Sequence, residues 1–246
     1  REIGDPQQGS GQALGNLGLA YMNLGDTRRA IGFFEQHLAI ARETANRREE
    51  GYALSNLGLA YMYLGDARRA IGFYEPSLEL KREIGDRRGE GNTMSNLAGA
   101  YLQLGDARRA IAFYERSLDV MREIGDRRGE GTALGNLGLA YMNLGDARQA
   151  ISLYEQRLPI TREVGDRLGE GQTLGNLGAA YMNLGDARRA IDFYEQHLAI
   201  AREIDDRRGE GMALGNLGSA HLQLGDVRQA TVFHRQSLDI MREVGD

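Results

Sequence analysis

Gly135-Asn136-Leu137-Gly138-Leu139-Ala140-Tyr141-Met142-Asn143-Leu144-Gly145-Asp146-Ala147-Arg148-Gln149-Ala150-Ile151 is one copy of a phrase that the chain writes six times. The copies lie 40 residues apart, with Asn16, Asn56, Asn96, Asn136, Asn176 and Asn216 marking the same point in each and no insertion between them. A fixed period of this length is the mark of a solenoid, in which each unit buries its apolar face mainly against its neighbours.

Around this phrase, one unit reads as two helices. Leu134, Leu137, Ala140, Tyr141 and Leu144 fall three and four apart, the stripe of an amphipathic helix. Gly145 ends it where a left-handed residue costs least, and Asp146 follows as the cap of the next helix. That second helix carries Ala150, Ile151, Tyr154, Leu158 and Ile160. It ends near Gly165, and Asp166 caps the first helix of the next unit. Gly138, Ala140 and Ala150 are small where the two helices approach, and Tyr141 and Tyr154 are read as filling the space opposite. The units are placed at 7–46, 47–86, 87–126, 127–166, 167–206 and 207–246 of one array spanning 1–246. Arg1–Asp5 matches Arg122–Asp126 and is read as the tail of a preceding unit, so the chain looks cut from a longer array.

Hydrophobic content of 41% and charged content of 26% suit a folded, water-facing chain. A net charge of −5 lacks the basic stripe of a nucleic-acid binder, so no nucleic-acid partner is expected. There is no cysteine, and among 30 basic residues Lys81 alone is lysine. No apolar run reaches membrane-spanning length and no signal peptide is recognised, so the reading is a cytoplasmic protein with no membrane partner.

The run Leu137-Gly138-x-Ala140-Tyr141, followed by Gly145, Ala150, Tyr154 and Leu158, resembles the tetratricopeptide repeat. The 40-residue period and the segment I-x-R-E-x-G-D-R-x-G-E-G resemble the repeats of the LGN and Pins scaffold proteins and of kinesin light chain. They are equally similar to arrays attached to signalling NTPases and caspase-like proteases in bacteria and fungi. The resemblance implies an all-α, right-handed superhelical solenoid of six hairpins, with first helices lining a concave groove that binds a peptide or partner helix. It also implies that the six asparagines hydrogen-bond the backbone of an extended peptide. Their other reading is a bond to the neighbouring unit that holds the stack.

On that basis the candidate peptide-binding residues are Asn16, Asn56, Asn96, Asn136, Asn176, Asn216, Leu19, Leu59, Leu139, Met62, Tyr52, Tyr63, Asn143 and Asn183. The groove is expected to be amide-rich, with an apolar rail at Met22, Met62, Met142 and Met182, residues that equally suit packing between hairpins. The columns flanking the asparagines hold Gly15, Ser55, Ser95, Gly135, Gly175 and Gly215, then Leu19, Leu59, Gly99, Leu139, Ala179 and Ser219. With no cation there, a clamp for a chaperone's terminal carboxylate is not expected.

Other signals read as structural. The D-R-R and D-A-R-R clusters have acids beside them, such as Glu90 and Glu130, and read as solvated ion pairs rather than anion sites. His37, His197, His221 and His234 lack metal spacing, though His221 and His234 replace aromatics in positions that could meet. Pro76 and Pro159 predict slight kinks in two second helices. No nucleophile and base are paired, so neither an enzyme, a small-molecule substrate nor a cofactor is expected. The first functional reading is a non-catalytic scaffold for protein or peptide ligands. The alternative is a structural spacer or self-assembling array, stacking end to end as a homo-oligomer, within a larger signalling protein.

Overall fold

The computed structural model describes residues 6–245; the segment matched to a preceding unit, 1–5, lies outside them. The described residues hold twelve α-helices and no strand, joined as six hairpins. They are α1 (Pro6–Asn23) with α2 (Thr27–Glu43), α3 (Arg47–Tyr63) with α4 (Ala67–Glu83), and α5 (Arg87–Gln103) with α6 (Ala107–Glu123). Then come α7 (Arg127–Leu144) with α8 (Ala147–Glu163), α9 (Arg167–Asn183) with α10 (Ala187–Glu203), and α11 (Arg207–Gln223) with α12 (Val227–Val244). The chain divides after Gly125 into two compact units of three hairpins each.

The ends of the helices follow from sequence chemistry. Asp146 accepts from the backbone N–H of Gln149 at 3.1 Å, and Asp166 from that of Gly169 at 2.9 Å, so each carboxylate satisfies one of the donors a helix start leaves free. Gly145 takes φ +87°, the left-handed stop read from the sequence. At two of the longer turns the glycine is replaced: Ala45 and Asp205 hold φ of 49° and 55°. A side chain at such angles crowds the following carbonyl. Pro76 and Pro159 sit inside α4 and α8, which run through them as continuous helices.

Within a hairpin, the two helices touch where the first has no side chain. A Cβ on Gly138 would stand 2.4 Å from Tyr154 Cε1, and one on Gly58 or Gly178 would stand as close to Tyr74 or Tyr194. The aromatic ring therefore lies on the glycine's backbone and is buried; Tyr154 is 1% exposed. Its burial raises the phenol to about 12. Tyr141 is half-buried against this core, and Leu144, at the last position of α7, is exposed rather than part of the buried stripe.

Between hairpins, each second helix packs on the next first helix: α2 on α3 and α4 on α5 in the first unit, α8 on α9 and α10 on α11 in the second. Leu177 and Leu217 become fully buried this way, at about 1.5–3 kcal/mol for each such side chain.

The charged clusters contribute to the same joints. Glu170, 4% exposed, receives Arg162 Nε of α8 at 2.7 Å and Arg167 of its own helix; Arg167 also grips Glu203 of α10. Arg202, Glu210, Arg207 and Glu243 repeat the pattern, as do Arg82, Glu90, Arg87 and Glu123 in the first unit. In these pairs the arginines stay half exposed, but the central glutamate is buried and is met by two guanidiniums. Hydrogen bonding to Arg127 and Arg167 holds the carboxyls of Glu163 and Glu203 below their usual range.

The turns and the glycine contacts predict stability changes. Ala45→Gly should raise the unfolding free energy by about 0.5–1 kcal/mol, since the left-handed strain it relieves exceeds the entropy cost of glycine; thermal melting would show a higher midpoint. Gly138→Leu should lower it by about 1–3 kcal/mol or more through overpacking against Tyr154. Gly32→Ala, where a Cβ meets nothing within 4 Å, should raise stability slightly in the same assay.

Candidate functional site

Six asparagines stand at one position of the first helices α1, α3, α5, α7, α9 and α11. Asn16 is exposed and the other five are half-buried. None of the six side-chain amides has a hydrogen-bond partner among the described residues. They do not bond the neighbouring hairpin's backbone, as the stack-holding reading requires. Each amide therefore keeps its two donors and its acceptor unspent.

Within each unit, a cleft gathers two of them. In the first unit Asn16 and Asn56 line a cleft with Gln12, Leu19 and Tyr52. In the second unit Asn176 and Asn216 line a cleft of about 550 Å³ with Gln172, Ala179 and Met212. The column of Gln12, Tyr52, Asn92, Thr132, Gln172 and Met212 differs in kind from hairpin to hairpin and is exposed in all six. Leu139 is 48% exposed and Leu59 half-buried.

Other expected residues fall elsewhere. Met22, Met62, Met142 and Met182 are half-buried and packed against the hydrophobic core clusters, so they serve packing between helices. Tyr63 is 69% exposed, but it lies with Leu24 and Arg28 in a separate depression beside the α1–α2 turn. Asn143 and Asn183 are exposed at the end of their helices, and Asn143 donates to the carbonyl of Leu139 at 2.9 Å. His221 stacks on Phe233 at 5.3 Å, and His234 packs at Gly218, each in the place of a tyrosine.

One column on the second helices was not singled out from the sequence: His37, Ser77, Ser117, Arg157, His197 and Ser237. Each faces the residue just before an asparagine. Ser55 meets Ser77 at 2.8 Å and Ser95 meets Ser117 at 2.9 Å. Gly15, Gly135 and Gly175 instead leave room for His37, Arg157 and His197; a Cβ on Gly15 or Gly175 would lie 3.0 Å from the imidazole Nδ1. In five of the six hairpins glycine is matched with a large side chain or serine with serine, 22 residues apart, and Gly215 faces Ser237; that matching was the available sequence signal. His37 Nδ1, Arg157 Nε and His197 Nδ1 are buried without a partner. Burial, opposed by the charge of Asp206, holds the His197 imidazole below its ordinary 6.5.

Tetratricopeptide repeat models match residues 9–83, 49–123, 89–163, 129–203 and 169–243. The chain belongs to the tetratricopeptide repeat family. Among solved structures, the repeats superpose on BtubC from P. vanneervenii with a TM-score of 0.80 and 23% identity, covering 89% of this chain and 92% of that one. They also superpose on the nearly identical, kinesin-light-chain-type TPR-like repeats of Podosopora anserina, with a TM-score of 0.68 and 20% identity over 82% and 99% of the two chains. A third match is a signal transduction ATPase with numerous domains and a tetratricopeptide repeat sensor, from Pyrococcus horikoshii. Its TM-score is 0.84 at 17% identity, covering 99% of this chain and 38% of that one. At these identities the likeness establishes the fold. A search of curated proteins found no match. Among the described residues, no helix is long and apolar enough to cross a membrane, and no group of three His, Cys, Asp or Glu is placed to hold a metal.

The His197 shift predicts a pH dependence. Unfolding lets the imidazole take a proton at its ordinary value, while the fold resists it. The stability from this group is therefore full above about 6.5 and declines as pH falls from there towards the depressed value. Urea midpoints at about pH 8 and about pH 5.5 should differ more for wild type than for His197→Gln.

Proposed function

We propose that the chain is a non-catalytic scaffold that holds an extended polypeptide of a partner protein against the asparagine-bearing face of its first helices. The observation that carries this reading is the set of six asparagines, mostly half-buried, whose amides find no partner among the described residues. The amide atoms stay accessible, and a side-chain amide that both donates and accepts suits an extended backbone read without regard to its side chains. The exposed, varied column from Gln12 to Met212 would then tell one partner segment from another. The sensor role named for the repeats of the Pyrococcus horikoshii ATPase is compatible with this reading.

A second reading, an end-to-end array or spacer, draws on one observation. Val227 and Leu238 of α12 are 61% and 48% exposed, whereas Leu78 and Leu198, the counterparts of Leu238, are 6% and 9% exposed beneath the hairpins that follow them. Another hairpin, from this chain type or a partner, would cover that surface, as α11 covers α10.

The test is a selection of peptides from a displayed library on the wild-type chain, repeated with Asn176→Ala/Asn216→Ala. Selected peptides should lose about tenfold or more in affinity to the variant, about 0.5–1.5 kcal/mol for each hydrogen bond, while the melting midpoint changes little. Unchanged affinity, or a large melting drop with binding intact, would make the asparagines structural and favour the array.

A further inference from the structure

The clefts of the two units are built alike, 160 residues apart in sequence, and they differ at two places that matter, Glu49 against Gly209 and Asn46 against Asp206. Gln12, Gly15, Asn16, His37 and Asn56 of the first correspond to Gln172, Gly175, Asn176, His197 and Asn216 of the second. In the first, the cleft already contains a carboxylate. Glu49 accepts from Gln12 Nε2 at 3.3 Å through Oε1 and lies 3.0 Å from His37 Nε2 through Oε2, so the side chain bridges the amide and the imidazole. In the second, Gly209 stands where Glu49 stands, and neither the Gln172 side chain nor His197 has a hydrogen-bond partner among the described residues.

We propose that the second unit's cleft takes the side-chain carboxylate of an acidic residue in the partner segment, bridging Gln172 and His197 as Glu49 bridges Gln12 and His37. This rests on the peptide-binding reading above and names the chemistry of the segment. Four observations carry it. The two imidazoles sit alike, each with Nδ1 3.0 Å from the place a Cβ would take on its facing glycine, so His197 Nε2 turns the way that meets Glu49 in the first unit. His197 is 7% exposed, with Nδ1 unpartnered. A carboxylate only accepts, so Nε2 donates to it, and protonation of the ring adds charge to the bond. One hairpin earlier, Arg157 fills the same column with Nε buried and unpartnered, which extends the preference for acidic residues along this unit. In the first unit the column offers only the already bridged His37, then Ser77 and Ser117, which bond Ser55 and Ser95 and donate to the carbonyls of Gly51 and Gly91.

The charges around the cleft make the capture proton-linked. α9 contributes only the amides of Gln172 and Asn176; α11 contributes Asp206 and Arg208, and Arg208 is engaged within the chain. Asp206 caps α11 through Gly209 N and opposes the burial of His197, where the first unit has the neutral Asn46. A second carboxylate beside Asp206 is repelled unless His197 is protonated. Binding therefore takes up a proton and strengthens as pH falls from about 7.5 towards about 5.5.

The test follows the His197 imidazole and the Asn176 and Asn216 side-chain amides by NMR in the full chain. The probe is the peptide acetyl-Ser-Gly-Ser-Glu-Ser-Gly-Ser-amide. Its controls are the Gln analogue and the Gln analogue with a free C-terminus. The Glu peptide should shift His197 saturably and leave His37 in place, with affinity roughly tenfold or more higher at about pH 5.5 than at about pH 7.5. Asp206→Asn/Gly209→Glu, which rebuilds the first unit's arrangement, should abolish the His197 response and raise the midpoint of its own titration. Equal response to the amidated Gln peptide, response only to the free C-terminus, or full response in the double variant overturns the proposal. Shifts at Asn176 and Asn216 without one at His197 overturn it while sparing the peptide-binding reading. Silence at all three positions with every peptide overturns both.

Discussion

Everything in each unit depends on how closely the two helices of a hairpin approach. That distance is set by a ring lying on a backbone: Tyr74 on Gly58, Tyr154 on Gly138, Tyr194 on Gly178. A Cβ at any of these glycines would stand 2.4 Å from ring carbon. The contact fixes the hairpin's thickness, and the next hairpin's leucines then find a surface of the right shape. Phe34 on Gly18 and His234 on Gly218 show that ring chemistry changes while the contact stays.

The buried glutamates do a related task at the joints between hairpins. Glu170 and Glu210 are shielded from water, and each is met by guanidiniums from two helices. An unpaired charge at that depth would cost several kcal/mol, so the arginines are required as much as the glutamates. Such a joint tolerates little change in register, which fits a chain whose period never varies.

Against this saturated framework, the unspent groups are conspicuous. Ser77 and Ser117 of the second-helix column are bonded and the glutamates are paired, but the six asparagine amides, Gln172, Arg157 and His197 hold hydrogen-bonding capacity that the chain does not use. In the second unit's cleft, Gln172, Asn176, His197 and Asn216 lie beside Met212, one of the varied exposed residues. A scaffold for polypeptides needs that division: an invariant frame and a face with bonds to give.

Much of this was legible in the sequence. The period, the capping role of Asp146 and Asp166, the left-handed Gly145 and the Gly138–Tyr154 contact are local or hairpin-range features, and each follows from a residue's own stereochemistry. The methionine column stayed ambiguous because half-buried core and apolar rail leave the same helical spacing. Glu90 was read as solvated, and its burial was missed, because its partners come from a position 8 residues before it and from its own helix at once. The asparagine ladder was visible as a pattern, but only the packed structure shows that its amides have no partner. His197 was passed over because its meaning lies in Gly175 and Gly209, on two other helices. Sequence by itself determined where each helix starts and stops, since those choices turn on single residues. Tertiary structure decided which polar groups were left without a partner among the described residues, because satisfaction of a hydrogen bond is a property of neighbours brought together from distant parts of the chain.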